Sequence, residues 1–171
     1  MKFRILYDVD LTRYASDILA CYNTNHLILD IQNPLTFETE EDIIEFLYRY
    51  IISKDSELIG IFDDKEQSLY GIVIFDNVRV GDNGKSCAQV HIATHKYIFG
   101  KVVRELYRDM INSFLFTTIY AEIPSIAVHA IKICKDLGFK KTGYIPEALP
   151  YLNSKGECKL YDIQIWTLRR E

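Results

Sequence analysis

The stretch HKYIFGKVVREL, residues 95–106, runs from a strand-like segment into a helix-like one, with Gly100 at the turn. Such a turn can hold a phosphate. The first N–H groups of a helix have no intrahelical partner, and the helix dipole is positive there. An ordinary turn carries the same pattern. Two side chains nearby are suited to moving a proton: His91 on the preceding strand, and Glu122, flanked by Ala121 and Ile123 on the next one. Cys134 is a third ionisable group, with an ordinary thiol pKa of about 8.5. A cysteine on a helix between apolar residues is more often a small core residue than a reactive one. His91 and His95 are four apart, a spacing that suits a metal only on a helix. The cysteines (Cys21, Cys87, Cys134, Cys158) form no C-x-x-C pair, so no metal site is expected.

The rest of the chain must position these groups. It has 171 residues, which predicts one domain spanning 1–171. Half the residues are apolar and about a quarter are charged, ample for a globular core. Net charge is -4, and this mild acidity argues against broad nucleic-acid binding, which shows as a basic face. No apolar run reaches the length of a membrane span, so no membrane partner is expected. Arg4 and Asp8 interrupt the opening segment too early for a signal-peptide core, so reduced thiols and a cytoplasmic location are the expectation.

KFRILYDV reads as a first strand and LTRYASDILACYNTN as one helix capped by Asp10, with Leu11, Tyr14, Ile18 and Tyr22 on one face. HLILDIQNPLTF reads as a loop. TEEDIIEFLYRYIIS reads as a helix capped by Thr39, with a stripe of Ile43, Leu47, Tyr50 and Ile51. Three hairpin-linked strands follow: ELIGIFD, SLYGIVIFDNV and CAQVHIAT. GKVVRELYRDMINSF is a helix with Val103, Leu106, Met110 and Phe114 on one side. TTIYAEIP is a strand. SIAVHAIKICKDLG is a helix with Ser125 at or near its cap and Gly138 at its end. FKKTGYIPEALPY and KLYDIQIWTLRR close the chain as two strands. This order predicts an α/β fold, a mixed sheet with helices on its faces.

The order resembles that of the GNAT (Gcn5-related N-acetyltransferase-like) acyltransferases, and AVHAIKICKDLGFKKTGY (residues 127–144) resembles the family segment N-x-x-A-x-x-x-Y-x-K-x-G-F-x-x-x-G. Ala130, Leu137, Gly138, Phe139 and Gly143 match it. YDIQIWTL resembles the family's terminal strand. IYAEIP and GYIPEAL also look like segments of small GNAT-like proteins of tailed bacteriophages.

The resemblance implies a GNAT-like fold with a central twisted mixed sheet, acetyl-CoA as cosubstrate and an amine acceptor. The family's phosphate turn, Q/R-x-x-G-x-G/A, aligns with Tyr97, Gly100 and Val102, so one of its three signature positions matches. By resemblance, Phe99, Gly100, Lys101 and Val102 would hold the pyrophosphate. Backbone of the strand carrying Ile92 and Thr94 would polarise the thioester. Ala127 and Ala130 would border the coenzyme. Ala127 stands at the family asparagine and Cys134 at the family tyrosine, the leaving-group acid. His91 and Glu122 are then the candidate bases for the amine. Two functions stay open: an N-acyltransferase, or a GNAT-fold binding or assembly module that has lost catalysis. The loops are rich in tyrosine and leucine, so self-association, as a homodimer, is one further expectation.

Overall fold

The computed structural model of the chain describes residues 1–24, 37–95, 101–152 and 158–170. The strands are β1 (Lys2–Ile5), β2 (Glu57–Phe62), β3 (Leu69–Val80), β4 (Ser86–Thr94), β5 (Thr118–Pro124), β6 (Lys140–Leu152) and β7 (Cys158–Arg169). The helices are α1 (Asp8–Arg13), α2 (Ala15–Thr24), α3 (Glu40–Ile52), α4 (Lys101–Ser113) and α5 (Val128–Asp136). The strands form one mixed sheet in the order β1-β2-β3-β4-β5-β7-β6. Among the described residues only β4 and β5 run parallel; every other pair is antiparallel.

The period-2 alternation of the strands sorts their side chains onto two apolar faces. Ile59, Val73, Phe75, Val90, Ile119 and Trp166 pack with Tyr107 and Met110 of α4 and Cys134 of α5. On the opposite face, Leu58, Phe62, Ile72, Ile74 and Ala93 pack with Leu11, Ile18, Ile43 and Leu47 of α1–α3. Gln89 and His91 alternate with Ala88 and Val90, so they belong to this second face.

β4 and β5 pair only over Cys87–Gln89 against Thr118–Tyr120. Beyond Gln89 the strands diverge. Residues 90–94 stay paired with β3 along their other edge, while 121–124 stay paired with β7. The edge of β4 that faces the opening therefore has no ladder partner in β5.

Several local expectations are met. The Thr39 hydroxyl accepts from the Asp42 N–H, and the Asp42 carboxylate accepts from the Thr39 N–H, which caps α3 at both groups. Gly138 has φ +91°, a left-handed conformation that costs a glycine little. Phe139 N–H reaches the Cys134 carbonyl at 2.9 Å and Gly138 N–H reaches Lys135 at 3.1 Å, so the turn satisfies the last carbonyls of α5 and buries Phe139.

Others are corrected. The first helix begins at Asp8 rather than after Asp10, and it breaks at Tyr14, whose hydroxyl donates to the Glu66 carbonyl at 2.7 Å. Asp10 sits inside the first turn because its carboxylate accepts from the Tyr7 N–H and from both terminal nitrogens of the Arg4 guanidinium. Ser125 does not cap α5. Its N–H bonds the Asp162 carbonyl, the chain turns over Pro124–Ala127, and the helix starts at Val128 with Ala127 as its N-cap. In α4 the buried stripe is Tyr107, Met110 and Ile111, rotated from the expected one, with Leu106 and Phe114 only partly buried.

Candidate functional site

Where β4 leaves β5, the second face of the sheet turns from apolar to polar. Gln89 and His91 of β4, Asp76 of β3, and Tyr120 and Glu122 of β5 replace the aliphatic residues found elsewhere on that face. His91 Nε2 lies 3.2 Å from Asp76 Oδ1. A carboxylate only accepts, so Nε2 carries a proton in this contact, and in the neutral ring Nδ1 then holds the lone pair. Gln89 is 3% exposed, and its Oε1 accepts from Tyr120 OH at 3.2 Å and Asn77 Nδ2 at 3.1 Å. Its Nε2 is buried and has no partner among the described residues. The polar network thus ties β3, β4 and β5 together where the sheet begins to open.

A pocket of about 600 Å³ lies over this floor. Asp76 and His91 line its sheet side, and Tyr22, Phe37, Phe46 and Tyr50 form an aromatic wall from α2, the segment before α3, and α3. Consecutive rings of the wall stand 5.0–5.6 Å apart in the Tyr22–Phe37–Phe46–Tyr50 sequence. Burial, and then the charge of Asp76, push the Tyr50 hydroxyl above the ordinary phenol range. Tyr120 is raised first by burial, then by the charges of Glu122 and Asp76. Both phenols are therefore neutral hydrogen-bond donors at physiological pH.

The predicted residues divide between the two faces. His91 lines the pocket, and Glu122 lies beside Tyr120 without lining it. Cys134 is 9% exposed in the core on the other face, where burial pushes its thiol up to about 12. Ile92 and Ala130 pack against that same core, and Ala127 joins it at the start of α5. The Thr94 side chain hydrogen-bonds Tyr107 of α4. Tyr97, Phe99 and Gly100 lie outside the described residues. Lys101 and Val102 open α4, and their side chains also lie outside that description.

Residues 90–93 have no ladder partner in β5, so this edge of β4 presents backbone donors and acceptors to the opening between the two strands. No group of histidine, cysteine, aspartate or glutamate suited to a metal occurs among the described residues.

Sequence reasoning missed Asp76, Asn77, Arg79, Arg49 and Tyr50. A signal for the first three was present: FDNVRV ends an unbroken apolar run with a polar cluster inside a strand, before the Gly-rich turn.

No family model matches the sequence, and no curated protein matches it. Solved structures do match. The chain superposes on a spermidine N-acetyltransferase of Vibrio cholerae in complex with CoA and spermine with TM-score 0.73 and 18% identity, covering 98% of this chain and 94% of that one. An acetyltransferase of the GNAT family from Streptococcus pneumoniae matches with TM-score 0.68 and 16% identity, covering 98% of each chain. A Salmonella typhimurium protein solved with its cofactor acetyl-CoA matches with TM-score 0.68 and 17% identity, covering 98% and 92%. The fold is that of the GNAT acetyltransferases. The phage origin suggested by IYAEIP and GYIPEAL has no support in these structures.

Proposed function

We propose that this chain is an acyl-CoA-dependent N-acyltransferase that uses acetyl-CoA and acts on a primary amine bound in the His91–Asp76 pocket. One observation carries the proposal: the opening between β4 and β5 starts at Gln89, one alternation from His91, so the thioester cleft and the amine pocket meet at the same point. The fold shared with structures that hold CoA or acetyl-CoA supports the donor.

In this scheme the bound ammonium gives one proton to His91 Nδ1, while Asp76 holds the ring by Nε2. The neutral nitrogen then bonds the thioester carbonyl carbon, the C–S bond breaks, and coenzyme A leaves as the thiolate. The nitrogen's second proton goes to solvent, and water protonates the thiolate. Cys134 is not the acid here. A thiol raised to about 12 gives up its proton less readily than an ordinary one, whose pKa is about 8.5. Backbone groups on the open edge of 90–94 polarise the carbonyl without any side chain. Glu122 stays a second candidate base beside Tyr120. Four free cysteines accord with a cytoplasmic location, which belongs to this proposal.

A module without catalysis is the second reading. It is favoured by Ala127 and Cys134 at the positions where the family carries asparagine and tyrosine. Release of free thiol from acetyl-CoA on adding an amine separates the two.

A further inference from the structure

The pocket that the acyltransferase proposal assigns to the amine contains more than a proton acceptor. β3 carries a bulge: Asp76 pairs with Gln89 and Arg79 with Cys87, so two residues, Asn77 and Val78, stand opposite Ala88 alone. Asn77 takes φ +50° at this point. Strict alternation would send Asp76 and Arg79 to opposite faces of the sheet. The bulge puts both on the face shared by Cys87, Gln89 and His91. Arg79 therefore lines the same pocket as Asp76.

Arg49 of α3 lines it too, with its guanidinium 5.2 Å from the Phe46 ring. Among the described residues no carboxylate pairs with Arg49 or Arg79. Both are exposed, while the Tyr22 and Phe37 rings of the same lining are buried. The lining holds two carboxylates, Asp55 and Asp76, against these two guanidinium groups. A polycation meets the two guanidinium groups there as well as the two carboxylates. An amine that also carries an acid group finds a partner for each end, and a guanidinium is the side chain best shaped to take a carboxylate.

We infer that the acceptor is a zwitterion of the α-amino acid class with an apolar body. The amine goes to the His91–Asp76 floor, the body to the aromatic wall at Phe46 and Tyr50, and the carboxylate to Arg79 and Arg49. This rests on the acyltransferase proposal for the role of the floor, but the ligand class rests on the bulge and the unpaired arginines.

The test is calorimetric titration of phenylalanine, phenethylamine and spermidine into the full-length chain. Phenethylamine is phenylalanine without its carboxylate. Phenylalanine should bind roughly tenfold more tightly than phenethylamine, or better, as expected of one charge-assisted contact. Arg79→Gln should remove most of that advantage, and Arg49→Gln part of it, in proteins with unchanged circular dichroism. Binding of phenethylamine or spermidine as tight as that of phenylalanine overturns the inference. So does an unchanged preference in both variants, or no binding of phenylalanine. Thiol release from acetyl-CoA with the same amines is read alongside. Phenylalanine bound but never acylated leaves the ligand class standing and removes the acyltransferase proposal. Acylation of spermidine in preference to phenylalanine does the reverse.

Discussion

The His91 imidazole and the Asp76 carboxylate, 3.2 Å apart on neighbouring strands, face a pocket at the point where the sheet opens. In the neutral ring their pairing fixes which nitrogen carries the proton. Asp76→Asn keeps the shape but supplies an amide that can donate, which favours the other tautomer. Turnover should fall roughly tenfold to a hundredfold, at or below the low end of general-base effects, because Asp76 only orients the base. Glu122→Gln should cost about threefold or less, because Glu122 does not line the pocket; a bigger loss than for Asp76→Asn would move the base to Glu122. Steady-state thiol release from the two variants decides this.

Cys134→Ala should leave most of the turnover intact and destabilise the fold by about 1 kcal/mol or less, since a small buried side chain becomes slightly smaller. The raised thiol should also resist alkylation in the folded protein, because the thiolate is the nucleophile. A large loss of turnover confined to this variant would show that the thiol replaces the family tyrosine as acid.

Asp10 predicts an acid-side stability change. Its hydrogen bond to Arg4, opposed by burial and aided by the Tyr7 N–H, holds its carboxyl below the usual carboxylate range. The unfolded chain therefore binds the proton more readily. The stabilisation is fully present above the unfolded value of about 3.9 and is lost as pH falls through the lower folded value. Urea midpoints should fall with pH across that window in the parent chain. Asp10→Asn should flatten this dependence and cost about 1–2 kcal/mol at neutral pH, because the partly exposed Arg4 loses its closest partner but keeps Glu66.

At Gly138 the constraint is backbone conformation. Gly138→Ala puts a Cβ into a left-handed residue and should cost about 1 kcal/mol. The space around it is open, with the nearest atom of Leu168 at 3.8 Å, so a larger loss in denaturant melts would mean the strain account is incomplete.

The fold was legible because its signals are local. Thr39 with Asp42 starts a helix, Gly138 with Phe139 ends one, and Leu58–Phe62 and Ile72–Phe75 announce sheet by their β-branched and aromatic runs. Capping errors arose where tertiary partners took over: Arg4 drew Asp10 into the helix, and Asp162 drew Ser125 out of it. The site was half legible. His91 could be placed by alternation on β4. Asp76 could not be joined to it, because strand register is not written in either segment. Arg79 was hidden further, since its face depends on a bulge that alternation does not anticipate.

The central claim is that amine acylation occurs at His91. The most direct measurement is amine-dependent release of thiol from acetyl-CoA by the parent chain and by His91→Ala, with acetyl-CoA binding to each checked by calorimetry. The account predicts release by the parent chain and a loss on the order of a hundredfold in the variant, with binding unchanged. Equal rates in both proteins, or no release by a parent chain that is folded, would contradict it.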